Sequence, residues 1–200
     1  MKAFSKGQRK RRAALPQEAL NGKSVVLVGM MGAGKTSVGR RLAQRLDIPF
    51  VDADQKIEEA AGQSISEIFA DHGEAYFRDG ERRVLKRLLE EGGPQVLSTG
   101  GGAFIDEENR EAIRGAGISV WLKADFDTLM RRVRRRPTRP LLQTPDPEAT
   151  MRKLLAERDP VYALADITVK TEDVAHGVIV NRILSALGNR LGRQEKGAVE

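Results

Sequence analysis

The apolar residues of this 200-residue chain fall into two patterns that take turns along it. Ser24-Val-Val-Leu-Val28 is a short β-branched run without polar alternation, as expected of a strand buried on both faces of a parallel sheet. Beyond a glycine-rich stretch, Val38, Leu42 and Leu46 recur at i, i+4 and i+8, which predicts a helix over Thr36–Leu46 with one apolar face. Phe50-Val51 begins a second strand that runs into Asp52 and Asp54. Helical patterns follow at about 55–61, 64–71 and 74–91, and Val96-Leu97-Ser98 and Ile118–Leu122 read as the third and fourth strands. Helices over 125–135, 147–163 and 174–188 accompany a last strand, Ile167–Lys170, and an arginine- and proline-rich stretch occupies 134–147. Strands alternating with helices imply an α/β fold of three layers, α/β/α, around a central parallel sheet of about five strands. Ligands of such sheets bind at the carboxyl ends of the strands.

Length and a hydrophobic share of 40% fit one domain with a sizeable core. The formal net charge of +6, with pI ≈ 9.8, would point to nucleic acid or an anionic membrane if it were spread over the surface. It is not spread. Residues 1–23 carry seven cations against Glu18 alone, which leaves the other 177 residues with 27 charges of each sign. Residues 1–22, with blocks of like charge and Pro16, Asn21 and Gly22 as breakers, read as a basic flexible tail. Residues 23–190 read as a single domain and 191–200 as a C-terminal tail. The absence of cysteine excludes disulfides, thiolate metal sites and cysteine catalysis. No apolar run approaches the ~20 residues that span a bilayer, and Pro16, Gln17 and Glu18 interrupt any signal-peptide core behind Arg9–Arg12. A cytoplasmic protein without a membrane partner is expected.

Gly29-Met-Met-Gly32-Ala33-Gly34-Lys35-Thr36 fits G-x-x-x-x-G-K-[ST], with a strand predicted before it and a helix after it. In that setting the glycines let backbone N–H groups converge on phosphate oxygens, Lys35 reaches the β- and γ-phosphates, and Thr36 offers a hydroxyl to Mg²⁺. A plain glycine turn would explain neither the lysine nor the hydroxyl. The loop implies a nucleoside triphosphate. No D-x-x-G follows a strand and no N-K-x-D occurs, so a GTPase switch is disfavoured, and a neutral body disfavours a nucleic-acid motor. A small-molecule kinase remains.

On the acceptor side, Asp52 and Asp54 flank Ala53 at the end of the second strand. One could serve a metal and the other a substrate, though both also suit a turn and a helix N-cap. Glu74, Arg78 and Glu81 are spaced as surface i,i+4 and i,i+3 ion pairs worth ~0.2–0.5 kcal/mol each, while Gly80 inside that helix costs about 1 kcal/mol relative to alanine. Ser98-Thr99-Gly100-Gly101-Gly102 is either a flexible turn or a place where a ligand touches the main chain. RRVRRRPTR at 131–139 holds six arginines, which suit a nucleic-acid patch or a lid over a triphosphate.

Together these segments resemble the shikimate kinase family: GMMGAGKTSVGRRLA, D-A-D at 52–54, G-E-x-x-F-R-x-x-E at 73–81, S-T-G-G-G at 98–102, R-P-L-L at 139–142 and R-D-P-V-Y at 158–162. The resemblance spans residues 24 to about 188 and leaves the basic tail outside. It implies a P-loop kinase fold with a helical substrate-binding region at about 54–92 and a mobile lid at about 134–147. It implies transfer of the γ-phosphoryl of ATP to shikimate with Mg²⁺, as a step of aromatic amino acid biosynthesis. Gly32, Ala33, Gly34, Lys35, Thr36 and Ser37 would hold the ATP phosphates, with Thr36 on the metal and Asp52 and Ser98 helping through water. Asp54 would meet the acceptor hydroxyl, as base or orienter. Arg78 and Arg158 would grip the shikimate carboxylate, and Gly100, Gly101 and Gly102 would line the substrate. Arg139 would be the lid arginine on the phosphates, Arg132 would lie against adenine, and Glu81 would orient the arginines. A monomer without a nucleic-acid partner is expected. The alternatives are another small-molecule P-loop kinase, such as a gluconate kinase, and a P-loop nucleic-acid-binding protein that uses the tail.

Overall fold

The computed structural model describes residues 20–135, 140–142, 144–171 and 174–197. Five strands, β1 (Ser24–Val28), β2 (Phe50–Asp52), β3 (Val96–Ser98), β4 (Gly117–Lys123) and β5 (Ile167–Lys170), form one sheet in the order β2-β3-β1-β4-β5. Every pairing is parallel. β1 is central and wholly buried, which is why its sequence shows no polar alternation. Seven helices connect and flank the strands among the described residues: α1 (Lys35–Leu46), α2 (Ala53–Ala61), α3 (Ile65–Glu91), α4 (Glu107–Ala116), α5 (Phe126–Val133), α6 (Pro147–Tyr162) and α7 (His176–Gly197). Successive strands extend one way from β1 to β2 and the other way to β4 and β5. The carboxyl end of β1 is therefore the switch point at which such sheets open a crevice.

Val38, Leu42 and Leu46 are all buried, and α1 packs them between the sheet and α7. Each such side chain contributes about 1.5–3 kcal/mol on burial. α3 departs from helical geometry at Gly73 (φ 80, ψ 175), which divides it at the place where the sequence pattern divides. A second, smaller apolar cluster of Ile57, Ile68, Phe77 and Val84 locks α2 against α3. The last helix is longer than its apolar pattern predicts. It runs to Gly197, so residues 191–197, expected as tail, continue α7. The expected tail has no proline before that point, and its straight-chain residues Arg193, Gln194, Glu195 and Lys196 favour helix by intrinsic propensity, which outweighs Gly192.

Candidate active site

The loop after β1 places its glycines where only they fit easily: Gly32 (φ 83) and Gly34 (φ 95) lie in the left-handed region. Gly34 begins α1 without a side-chain cap, and α1 carries no acid in its first turn. By contrast α2, α3, α4, α5 and α6 are capped by the side chains of Asp52, Ser64, Asp106, Asp125 and Asp146. The N–H groups and positive dipole end of α1 are thus left for an anion. Lys35 is buried, and its Nζ is held inside the loop by the carbonyls of Gly29 (2.6 Å) and Met30 (3.0 Å). Gly32, Gly34, Lys35, Thr36 and Ser37 line a cleft of about 1150 Å³, with Ser98 and Arg132 on its walls. Ala33 does not join them: its methyl is buried, and its N–H closes a turn onto the Met30 carbonyl at 3.1 Å. The left-handed glycines on either side reverse the chain and turn this one residue into the core. Arg132 leans over the loop, its Nη1 3.3 Å and 3.4 Å from the Gly32 and Ala33 carbonyls.

Asp52 serves as cap and site residue together. Its Oδ1 accepts from the Asp54 N–H at 3.2 Å, and its Oδ2 accepts from Thr36 Oγ1 at 2.8 Å. β2 consequently ends at Asp52, and Asp54 sits in the first turn of α2 rather than in the extended segment expected from the sequence. In a continuing strand residues two apart would share one face; the helical turn sends the two carboxylates to different neighbours. Among the described residues no group of three or more His, Cys, Asp and Glu could hold a metal. What the cleft offers is the Thr36 hydroxyl, backed by the Asp52 carboxylate that accepts from it, with buried Ser98 on the wall. That set fits Mg²⁺, which draws most of its ligands from water and phosphate.

A second cleft, of about 480 Å³, is walled by Asp54, Arg78, Glu81, Gly100–Gly102 and Arg158, with Phe69, Phe77 and Leu141 among its apolar members. Arg78 lies between two carboxylates. Glu74 accepts from its Nε at 3.2 Å and from its Nη2 at 2.9 Å, and Glu81 accepts from its Nη1 at 2.6 Å. Only one of the two pairs belongs to the surface as the spacing predicts: the Glu74 side chain is 51% exposed and that of Glu81 2%. Burial pushes the Glu81 carboxyl above the ordinary range, with Asp54 and Asp106 adding to the effect and Arg78 opposing it. The guanidinium of Arg78 also loses water, but Glu81 and Glu74 outweigh that loss and raise its pKa.

These neighbours crowd two positions of the glycine triplet. A Cβ on Gly100 would lie 2.6 Å from Glu81 Oε1 and 2.8 Å from Asp54 Oδ1, and one on Gly102 would collide with the Arg78 guanidinium. The segment is therefore a close approach between main chain and charged groups, not a flexible turn. Arg158, buried on α6, reaches the Gly101 carbonyl at 3.4 Å. Met31, Asp54 and Gly101 belong to both clefts, so the two meet at the Asp54 carboxylate.

The shikimate kinase family model matches residues 31–188. A shikimate kinase of Bradyrhizobium diazoefficiens is 60% identical over 169 residues, which are 84% of this chain and 81% of that protein. The chain belongs to the shikimate kinase family. The structure of the Acinetobacter baumannii shikimate kinase in complex with shikimate matches with a TM-score of 0.82 at 40% identity, over 88% of this chain and 98% of that one. A gluconokinase from Sinorhizobium meliloti, with a TM-score of 0.58 at 19% identity, shares with this shikimate kinase family member the fold alone.

Of the predicted site residues, Arg139 lies outside the described residues, as do 136–138 and 143 of the expected lid. The two clefts gather the others, except Ala33, which is turned inward, and Asp52, which takes part through Thr36. Sequence patterns do not single out Phe69 or His176, which line the clefts, because an apolar residue and a lone histidine carry no motif of their own, whereas Met31 and Leu141 fall inside motifs without being assigned a role by them. Tyr162, on α6 beside Arg158, is a different case: its i,i+4 spacing from Arg158 signals that both point the same way.

Proposed function

We propose that this chain transfers the γ-phosphoryl of ATP to the 3-hydroxyl of shikimate, giving shikimate 3-phosphate and ADP. The observation that carries the reading is the junction of the two clefts at Asp54: one cleft is built on an uncapped helix N-terminus, the other on two arginines suited to a carboxylate. Lys35 leaves the carbonyls of its own loop for the β- and γ-phosphates, and the N–H groups of Gly32–Ser37 take the remaining oxygens, with the Ala33 amide first released from Met30. Thr36, backed by Asp52 and Ser98, would hold Mg²⁺, which would neutralise charge developing on the phosphates. Arg132 lies against the nucleotide at the mouth of its cleft.

In the other cleft Arg78 and Arg158 fix the carboxylate of shikimate. Planar guanidinium groups pair with carboxylates in a defined orientation, so the ring is presented with one hydroxyl toward Asp54. Asp54 accepts a hydrogen bond from that hydroxyl and aims its oxygen at the γ-phosphorus. Phosphoryl transfer through a loose transition state makes small demands on a base, so positioning by Asp54 matters more than proton removal. Glu81 holds Arg78 in place. The reading extends to a monomer acting on small molecules in the cytoplasm, without nucleic acid. It is supported by a neutral body and by the lack, among the described residues, of a helix long and apolar enough to cross a membrane.

A coupled assay of ADP release tests it. Release that requires shikimate is expected; release with gluconate or nucleoside monophosphates, and none with shikimate, would overturn the reading.

A further inference from the structure

The glycine triplet poses a mechanical difficulty. Asp54, Glu81 and Arg78 crowd the Cβ positions of Gly100 and Gly102, and the segment that touches the acceptor cleft is built of the residue type whose peptide units rotate most freely. A wall that is to present a fixed N–H to a small ligand needs an anchor from outside. One is present. Tyr162, the last residue of α6, is fully buried, and its hydroxyl donates to the carbonyl oxygen of Gly101, 61 residues away in sequence. Its ring packs beside Trp121 of β4 at a centroid distance of 5.9 Å, which ties the ring to the sheet. Arg158, one helical turn earlier, reaches toward the same oxygen at 3.4 Å. Burial pushes the Tyr162 hydroxyl up to about 12, with Arg158 opposing, so it remains a donor throughout the range in which a kinase works.

The consequence is directional. No cis peptide occurs among the described residues, and in a trans unit the C=O and N–H point in opposite directions. With the Gly101 carbonyl drawn to Tyr162, which does not line the acceptor cleft, the N–H of Gly102 in the same unit faces away from Tyr162, while Gly100, Gly101 and Gly102 line the cleft together with Arg78 and Arg158. We propose that Tyr162 is a positioning residue: it fixes the Gly101–Gly102 peptide so that the Gly102 N–H meets the acceptor substrate. The proposal rests on reading this cleft as the shikimate site.

Tyr162→Phe removes one hydroxyl and keeps the ring against Trp121. The shikimate KM is expected to rise about tenfold, the share of one well-placed hydrogen bond, while the ATP KM stays within about twofold. A purely structural role would lower Tm without splitting the two KM values. Equal shikimate KM values for Tyr162→Phe and the parent chain would overturn the proposal. A second measurement does not depend on the variant: in ¹H–¹⁵N spectra of the full-length parent chain, the Gly102 amide should shift on adding shikimate, and an unmoved amide at saturation would also overturn it. Because the parent chain is assayed first, absence of shikimate-dependent ADP release marks failure of the functional reading, whereas normal release with an unaffected variant marks failure of the anchor alone.

Discussion

Replacing Glu81 by glutamine removes a charge and keeps the shape. In the parent chain Arg78 has a buried bond to Glu81 at 2.6 Å and exposed bonds to Glu74 at 2.9 and 3.2 Å. A buried charge-assisted bond is worth about 1.5–3 kcal/mol and a neutral one about 0.5–1.5, whereas an exposed pair such as Arg78–Glu74 contributes about 0.2–1. Glu81→Gln therefore weakens the main restraint on Arg78 by about 1–2 kcal/mol, a factor of roughly 5–30 that should appear as a raised shikimate KM in the ADP-release assay. The ATP KM should not follow, since Glu81 and Arg78 do not line the nucleotide cleft. Stability should respond with a definite sign. The folded-state pKa of Glu81 lies above its ordinary 4.5, so the folded chain binds this proton more tightly than the unfolded chain does. The stabilisation from that proton is fully present below 4.5 and is lost as pH rises through the folded value. Thermal unfolding across that window should show Glu81→Gln gaining on the parent chain as pH rises. A shikimate KM within twofold of the parent chain would refute the argument that Glu81 holds Arg78 in its working orientation.

Three further outcomes follow from the same geometry. Asp54→Asn should lower kcat by roughly 10²-fold, the scale of lost positioning, while moving the shikimate KM much less, and near-normal turnover in the ADP assay would remove Asp54 from the reaction centre. Arg158→Ala should raise the shikimate KM by roughly 10–100-fold, the equivalent of a charge-assisted hydrogen bond, with ATP affinity by calorimetry nearly intact; an unchanged KM would contradict the carboxylate assignment. Gly80 lies inside α3, and a Cβ there would meet nothing within 4 Å. Gly80→Ala should accordingly stabilise the fold by about 0.5–1 kcal/mol, a rise in Tm of a few degrees by calorimetry that a lowered Tm would refute.

The order and kind of the elements were legible in the sequence because their signals are local. β1 is an unbroken apolar run, α1 shows its buried face at i, i+4 and i+8, and the loop between them has fixed spacing. The phosphate site was legible for the same reason: strand, glycines, lysine, hydroxyl and helix all lie within one short segment. Local spacing misread Glu81, whose i+3 distance from Arg78 suits a surface pair, because only the packing of α3 against the glycine triplet decides that this carboxylate is buried and Glu74 is not. It also misread Asp54, since the capping of α2 by Asp52 ends the strand two residues early.

Composition and spacing thus determined on their own that this is a parallel α/β chain with a triphosphate loop, and that its surplus positive charge lies in residues 1–23. Tertiary structure alone decided what surrounds the three glycines: Asp54, Glu81 and Arg78 converge on Gly100 and Gly102 from α2 and α3, and the Met31 N–H approaches Gly101. It also decided that Tyr162, far along the chain on α6, reaches the Gly101 carbonyl. Hydrophobic period and turn chemistry act over a few residues and are written in order. Burial and the meeting of charges depend on which elements pack together, and that is fixed only when the sheet has formed.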